Sequence, residues 1–261
     1  MNAKARHELR KHSFDASPRL YWQARPRYPE ELFDDLVRLS GIAEHGRVLE
    51  IGPGPGEATL PIARRGFRIL ALELGASMAR FCRKNLAGFP DVEVRATSFE
   101  DWPLEREAFD LVLAASSFHW LKPGQGFTKS AATLKPGGHL ALLWNFRVTP
   151  DDELHQDLLS LYRSLHLRDQ RARDPKERTE RQVRAIGRSG RFGPVIVRHY
   201  PVTTAYTATA YTNLMRTMSD HATLDPAVRR RLFAGIRQVI RAHGGMLNRA
   251  VAATLLLAAK R

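Results

Sequence analysis

The chain has 261 residues and a mass of 29.5 kDa, with 43% hydrophobic and 26% charged residues. This composition is typical of a globular protein and excludes collagen, a coiled coil or disorder for the chain as a whole. A single cysteine, Cys82, excludes an intrachain disulfide and an all-cysteine zinc site. The sequence shows neither an apolar run of about 18 residues nor a secretory signal. We therefore expect a cytoplasmic protein that does not span a membrane.

The formal net charge is +14 and the isoelectric point is near 10.5. Cations are concentrated between Arg163 and Arg198, where only Tyr162 and Phe192 flank the run as aromatic residues that could stack on bases. Such a segment is compatible with a solvated face, with an anionic substrate or partner, and with nucleic acid. The charge alone does not choose among these three.

From Glu30 to Leu39 the apolar residues have helical spacing behind an acidic first turn, which predicts a helix. Beyond it, short apolar runs alternate with helix-like stretches. The predicted strands are Val48–Ile51, Arg68–Leu72, Val92–Ala96, Leu111–Ala115, His139–Trp144, Val195–His199 and Ala250–Ala258. The predicted helices among the first five strands are Glu57–Arg65, Ser77–Leu86 and Gly126–Leu134. This alternation predicts an α/β fold, with a parallel sheet covered by helices on both faces.

Two segments interrupt the alternation. Asp151–Gly190 is an Arg-rich helical insertion, and Thr203–Gly245 is a second helical stretch. Both follow strands whose carboxyl ends face the ligand side of such a sheet. We expect them to form a lid or a substrate-facing layer, the alternative being that they only pack against the sheet.

Glycines follow the first predicted strand at Gly52, Gly54 and Gly56. Glycine lets the backbone approach a ligand and presents amides where a helix begins. The dinucleotide fingerprint requires its third glycine at position 57, where this chain has Glu57, and a carboxylate there would repel a pyrophosphate. Glu50 adds a second negative charge. The loop is therefore predicted to bind a ligand that carries positive charge and lacks phosphates, and no Walker sequence follows it.

An acidic residue, Glu73, comes directly after the second predicted strand. An acid at this place can accept hydrogen bonds from both hydroxyls of a ribose. Such charge-assisted bonds contribute about 1.5–3 kcal/mol each. The alternative is that Glu73 is a surface glutamate that binds no ligand. The spacing between Glu73 and the glycine loop makes this alternative the poorer interpretation.

Five segments in order resemble the class I S-adenosylmethionine-dependent methyltransferases, specifically the small-molecule, methyltransferase type 11-like branch with a Phe-His-Trp segment. An opening segment, Tyr21–Pro29, is similar to the entry segment of that branch. The five segments are Glu50–Gly56, Glu73, Ser98–Trp102, Phe109–Trp120 and Leu134–Gly138. Together they span roughly residues 14–146, and the C-terminal part resembles the branch more loosely.

The resemblance implies a Rossmann-like sheet of seven strands, mostly parallel with the last antiparallel, with helices on both faces and helical lid insertions. It implies one methyltransferase domain over residues 1–261. The parts of that domain would be an N-terminal arm and helix (1–40), a cofactor-binding core (47–146), the Arg-rich insertion (151–190), and C-terminal strands with a helical lid (191–261).

The implied cofactor is S-adenosylmethionine, with S-adenosylhomocysteine as product and no metal. Ser98 stands where many relatives have Asp, so the Phe99 amide and Glu100 are assigned to the adenine instead. Tyr21 and Arg25 would close over the cofactor, the alternative being a structural arm. The complete set of implied cofactor-binding residues is Glu50, Gly52, Pro53, Gly54, Gly56, Glu73, Leu74, Ser98, Phe99, Glu100, Ala115, Tyr21 and Arg25.

Methyl transfer from a sulfonium is an in-line displacement in which the protein mainly supplies positioning. His119 is the candidate general base, or else a pocket wall. Trp120, Asn145 after the fifth strand, and His221 are candidates for the substrate pocket. The acceptor is predicted to be a small molecule that reacts at O, N, C or a carboxylate, and the basic insertion would suit an acidic one.

Two other functions stay open. An RNA methyltransferase could use the basic insertion to bind phosphates, and a non-catalytic regulatory protein could bind the cofactor without turnover. A nicotinamide oxidoreductase fits poorly because of the glycine spacing. The sequence does not indicate the acceptor atom or the oligomeric state.

Overall fold

The computed structural model describes residues 3–122, 124–167 and 174–261. The contacts of the chain divide it into two compact units, which are described here as far as these residues extend. The sheet unit comprises residues 27–146, 176–200 and 252–261, and the helical unit comprises residues 1–26, 147–175 and 201–251. Three cations of the Arg-rich insertion, Arg168, Arg171 and Arg173, lie outside the described residues.

Seven strands form one sheet. They are β1 (Arg47–Ile51), β2 (Arg68–Glu73), β3 (Val92–Ala96), β4 (Phe109–Ala115), β5 (Leu134–Arg147), β6 (Ile196–Thr207) and β7 (Met246–Ala259). Their order across the sheet is β3-β2-β1-β4-β5-β7-β6. The pairs β1–β2, β1–β4, β2–β3 and β4–β5 are parallel. The predicted mostly parallel, seven-stranded sheet is thereby confirmed.

Strand β7 runs antiparallel to β5. The Val148 amide donates to the Ala250 carbonyl at 3.0 Å, and the Lys260 amide donates to the Gly138 carbonyl at 2.8 Å. Residue numbers therefore rise along β5 while they fall along β7, which defines an antiparallel pair.

The described residues also form α-helices. They are α1 (Ala3–His12), α2 (Pro18–Ala24), α3 (Glu30–Ser40), α4 (Thr59–Arg64), α5 (Ala76–Asn85), α6 (Gln125–Thr133), α7 (Glu153–Ser164), α8 (Pro175–Arg188), α9 (Ala208–Arg216), α10 (Ser219–Ala222) and α11 (Pro226–Ala242). Helix α3 shows why the pattern predicts helices well. It buries Leu32, Phe33 and Leu36 at helical spacing, and it ends at Gly41, whose φ of +61° suits glycine.

Each unit has its own apolar core. In the sheet unit, aromatic side chains such as Trp102, Phe109 and Phe146 are buried with the aliphatic residues of the central strands. In the helical unit, α11 begins at an Asp225 cap that accepts from two backbone amides, and its buried face includes Leu232 and Ile236. The strands at the centre of the parallel part are apolar because both of their faces are covered.

Several sequence predictions of element boundaries were wrong. The second helical stretch begins at Ala208 rather than Thr203, because β6 continues through β-branched residues to Thr207. Strand β5 continues to Arg147, so Asn145 lies within the strand and not after it. Helix α4 begins at Thr59, which leaves Glu57 in the glycine loop. Among the described residues, no helix is both long and apolar enough to cross a membrane.

Candidate functional site

The loop between β1 and α4 is built on three glycines with positive φ. These angles are +65° at Gly52, +57° at Gly54 and +98° at Gly56. The backbone of any residue with a Cβ would be strained at these angles. The Gly52 amide donates to the Leu72 carbonyl at 2.9 Å, which ties the start of the loop to β2. A Cβ added at Gly52 would lie 2.8 Å from the Ser117 Cβ. Glycine is therefore required by both conformation and space at the carboxyl end of β1.

The Glu73 carboxylate at the end of β2 binds the glycine loop. Its Oε2 accepts a hydrogen bond from the Gly54 amide and its Oε1 accepts one from the Gly75 amide, each at 3.0 Å. An ionised carboxylate has about four acceptor positions, which allows it to accept from more than two donors. Leu74, beside it, is half-buried. The predicted ribose acid thus lies directly against the predicted cofactor loop.

Glu50 on β1 is fully buried, and neither of its carboxyl oxygens meets a hydrogen-bond partner among the described residues. Burial raises the pKa of Glu50 to about 8. The nearby Thr59 hydroxyl opposes this shift, while the negative charge of Glu73 adds to it. The Glu50 side chain therefore holds a proton at neutral pH in the free protein. The sequence places an acid here, but its burial and protonation follow only from the packing.

Behind the loop lies Cys82, which is buried on α5. A Cβ at Gly56 would come within 3.4 Å of Leu86 and 3.5 Å of the Cys82 sulfur. Burial, with the charges of Glu50 and Glu73, raises the pKa of the Cys82 thiol far above its usual range. Cys82 is accordingly an unreactive, small core residue that supports the loop.

The segment after β3 is occupied by local contacts. The Ser98 hydroxyl donates to the Asp101 carboxylate at 2.6 Å and accepts from the Asp101 amide at 3.0 Å. The Phe99 ring is buried and stacks on Trp102, with a centroid separation of 6.3 Å. The Lys129 ammonium donates to the Glu100 carbonyl at 3.0 Å. Ser98 therefore caps its own turn, and the assignment of adenine contacts in this segment stays a prediction.

Two serines follow β4, which ends at Ala115. Ser116 has a φ of +56°, a strained value for a residue with a side chain, and its hydroxyl lies 2.9 Å from the Tyr28 hydroxyl. Ser117 donates through its hydroxyl to the Ile51 carbonyl at the end of β1. Sequence reasoning missed both serines. Their place between a buried strand and the Phe-His-Trp segment was the available signal.

The Phe-His-Trp segment forms one 3₁₀ turn at Phe118–Trp120. The His119 imidazole is exposed and lies 4.6 Å from the Trp120 ring and 5.1 Å from the Trp144 ring, between centroids. The Trp144 indole nitrogen is buried with no hydrogen-bond partner among the described residues. Asn145, next to it on β5, is half-buried. His119 thus belongs to an aromatic wall that also contains the two indoles.

Sequence reasoning also missed Arg27, whose guanidinium lies 3.8 Å from the Glu57 carboxylate in the glycine loop. Burial lowers the pKa of Arg27, and Glu57 opposes this shift. The signal in the sequence was the position of Arg27 in the entry segment, Tyr21–Pro29. Since Glu57 interacts with a cation of the chain itself, its charge is partly balanced within the sheet unit.

The remaining predicted site residues lie in the helical unit. Arg25 donates to the Thr217 hydroxyl at 2.9 Å and to the Thr217 carbonyl at 2.8 Å, and its guanidinium lies 4.6 Å above the Tyr21 ring. His221 is buried, with one ring nitrogen 2.6 Å from the Tyr162 hydroxyl and the other 2.8 Å from Asp220. Both His221 nitrogens are therefore engaged within this unit.

Residues 49–142, which contain most of the site in the sheet unit, match the family model described as a methyltransferase domain. An uncharacterised methyltransferase of Mycobacterium bovis is 33% identical over 135 residues, which cover 52% of this chain and 53% of that protein. Over these residues the chain is similar to the class I S-adenosylmethionine-dependent methyltransferases. The match spans about half the length of this curated relative.

Solved structures of methyltransferases share the fold over most of the chain. A protein of Anaeromyxobacter dehalogenans described as a type II methyltransferase has a TM-score of 0.60 at 24% identity, covering 90% of this chain and 96% of that one. Phosphoethanolamine N-methyltransferase 2 of Haemonchus contortus, solved with phosphomonomethylethanolamine and S-adenosylhomocysteine, has a TM-score of 0.55 at 15% identity. It covers 94% of this chain and 57% of that one. At these identities the similarity shows a shared methyltransferase fold.

No group of three or more His, Cys, Asp or Glu side chains able to hold a metal ion occurs among the described residues. The candidate site in the sheet unit consists of the glycine loop, the two acids Glu50 and Glu73, and the aromatic wall.

Proposed function

We propose that the protein transfers a methyl group from S-adenosylmethionine to a small-molecule acceptor. One observation carries this proposal: Glu73 binds the amides of Gly54 and Gly75, so a ribose-binding acid and a glycine loop form one unit at the ends of β1 and β2. This arrangement fits a nucleoside whose remaining part is cationic, because Glu73 supplies negative charge and the loop lacks the phosphate-binding glycine spacing.

The chain's own residues position and shield the reactants. When bound, the cofactor supplies a methyl group already activated on a sulfonium, so the protein need not generate a strong electrophile. Glu73 would hold the ribose hydroxyls, and the backbone of Gly52 and Gly54 would let the ligand approach closely. The aromatic wall of His119, Trp120 and Trp144 would exclude water from the reacting atoms.

Calorimetric titration tests the cofactor. The wild-type protein should bind S-adenosylmethionine and S-adenosylhomocysteine at micromolar concentrations and should not bind NAD. A Cβ at Gly54 meets no protein atom within 4 Å, so Gly54→Ala can obstruct only a ligand. Its backbone strain should cost about 1–2 kcal/mol of stability, and we expect its affinity for the cofactor to fall at least tenfold.

Gly137→Ala is the matched control, since Gly137 also has a positive φ of +77° and open space around its Cβ. The two variants should lose similar stability in urea denaturation, while Gly137→Ala keeps wild-type affinity. Equal affinity in both variants would show that the loop is not the cofactor site. Tight cofactor binding without turnover on any acceptor would favour the regulatory alternative.

His119 is the proposed base when the acceptor must lose a proton. Its imidazole is exposed at the end of β4, and the ordinary pKa of imidazole suits proton removal near neutral pH. His119→Asn should then lower kcat by about 100-fold or more and remove the acidic limb of its pH profile. If His119 is only a pocket wall, KM should rise while that limb remains.

The described part of the basic insertion has intramolecular contacts. Arg178 lies 4.5 Å above the Phe146 ring, and Arg184 lies 3.4 Å from the Glu180 carboxylate. These contacts account for two of its cations without a nucleic acid. They support a small-molecule acceptor over RNA, for which a basic surface should be free to bind phosphates.

A further inference from the structure

Arg249, on β7 in the helical unit, is half-buried. Its Nε is inaccessible to solvent and has no hydrogen-bond partner among the described residues. Burial lowers the pKa of Arg249, an effect that Arg147 and Arg25 increase and that Tyr211 and Tyr206 oppose. A buried cation without an anion is unfavourable, so such a group indicates that something else completes its environment.

The register of the sheet brings a second arginine to the same place. The Val148 amide donates to the Ala250 carbonyl at 3.0 Å in the antiparallel ladder of β5 and β7. Arg147 and Arg249 each lie one residue from this pair, so both emerge on the opposite face of the ladder from it. Residues in such diagonal positions on neighbouring strands are close enough for long side chains to reach a common ligand.

Tyrosines surround the two arginines. Tyr206 and Tyr211 are buried in the core of the helical unit, with ring centroids 6.1 Å apart. The Tyr206 hydroxyl donates to the Ala24 carbonyl at 3.4 Å, next to Arg25 in sequence. The charges of Arg147 and Arg249 both act on Tyr162, whose pKa is raised by burial. The neighbourhood therefore combines guanidinium groups with phenolic hydroxyls.

Carboxylates of the chain do not complete this cluster. Within the described residues, neither Arg147 nor Arg249 forms an ion pair. The charge of the Asp220 carboxylate adds to the rise in the pKa of Tyr162. This carboxylate lies 2.8 Å from a ring nitrogen of His221. Among the described residues of the unit, the positive charge of Arg147 and Arg249 is therefore not balanced by an ion pair.

We propose that Arg249 and Arg147, with the tyrosines beside them, form a binding site for a small organic oxyanion. The planar guanidinium fork matches a carboxylate or a phosphate and binds either through paired hydrogen bonds. The burial of Arg249 selects a small ligand rather than a polymer, whose phosphates are bound by exposed cations.

Titration with succinate tests the site. Wild-type protein should bind succinate and be stabilised by it against heat, whereas the neutral succinamide should do neither. Arg249→Met should weaken succinate binding at least tenfold. In the absence of ligand it should melt at the same or a higher temperature, because a buried uncompensated charge is removed. Arg231→Met, at an exposed position on α11, is the matched control and should bind as the wild type does.

Further variants keep the test decisive. Arg249→Lys retains the charge but loses the fork and should bind succinate less tightly, and Arg147→Met should reproduce the loss if Arg249→Met folds poorly. Tighter binding of glycerol 3-phosphate than of succinate would support the site with a phosphate as its ligand. Unchanged succinate binding in both methionine variants would overturn the proposal.

S-Adenosylmethionine titrations of the same variants separate this proposal from the proposed function. The site is supported when Arg249→Met loses succinate and keeps the cofactor. It is overturned when the wild type binds no oxyanion, whatever the cofactor affinity of Arg249→Met. Oxyanion binding without cofactor binding would support the site while refuting the methyl-transfer function.

Discussion

Replacing Glu50 with glutamine should increase the stability of the protein more at alkaline pH than at acidic pH. The pKa of Glu50 is raised to about 8 in the folded state, against an ordinary value of 4.5 that applies to the unfolded chain. Below pH 4.5 the Glu50 carboxyl is protonated in both the folded and the unfolded state, so the pH window of interest lies between 4.5 and about 8. As pH rises through this window, the unfolded state ionises while the folded state stays protonated, so wild-type stability falls until pH passes about 8.

Glutamine cannot ionise, so Glu50→Gln lacks this loss. The free energy of unfolding of the variant, relative to wild type, should increase by about 3 kcal/mol between pH 5 and pH 8. Urea denaturation at several pH values measures this difference, in which the titration of all other groups cancels. Any cost of burying the amide is independent of pH and does not alter the slope.

Glu93→Gln is the control, because Glu93 is exposed on β3 and its bond with Arg95 lowers its pKa. Glu93 therefore stays ionised across the window, and its variant should differ from wild type by a constant amount. A constant difference for Glu50→Gln as well would mean that Glu50 is ionised in the folded protein, and the interpretation of its burial would be wrong.

The second large effect is expected for Glu73→Gln, which should weaken S-adenosylmethionine binding about 30-fold. The substitution removes the charge that strengthens hydrogen bonds to ribose, each worth about 1.5–3 kcal/mol. It also leaves one carbonyl oxygen where the carboxylate now accepts from both Gly54 and Gly75. Titration calorimetry with the sulfonium cofactor and with S-adenosylhomocysteine measures the loss, and Glu93→Gln should bind both as the wild type does.

A 2′-deoxyribose analogue of S-adenosylhomocysteine separates a ribose contact from a purely structural role for Glu73. If Glu73 binds the ribose, removing the hydroxyl should cost the wild type considerable affinity and cost the Glu73→Gln variant little, as in a double-mutant cycle. Equal losses in the two proteins would show that Glu73 only supports the loop.

The sequence predicted most of the parallel part of the fold because its signals are local. Continuous apolar runs such as β4 are explained by burial on both faces, and Val92–Ala96 was predicted with its observed boundaries. The glycine positions were informative because few other residues tolerate their backbone conformation. The start of the second helical stretch was predicted wrongly, because no glycine or proline between Val202 and Ala208 marks the change from strand to helix.

The chemistry of individual side chains was harder to predict. Glu50 was expected to supply negative charge, yet its pKa depends on packing by α4 and on its distance from Glu73, which sequence spacing does not specify. Arg249 was missed because its environment is set by the register between β5 and β7, two strands far apart in the chain. Its one local signal was a charged residue at the start of an apolar strand.

The position of β7 also bears on the order in which the chain can fold. In sequence β7 follows β6, yet in the sheet it lies between β5 and β6. During synthesis β6 is therefore made before β7, the strand next to it in the sheet. The edge of β5 that pairs with β7 is also unpaired until β7 is made. The parallel strands can pair before β7 is made, whereas β6 has no neighbouring strand in the sheet until then, which leaves its edges open to other partners.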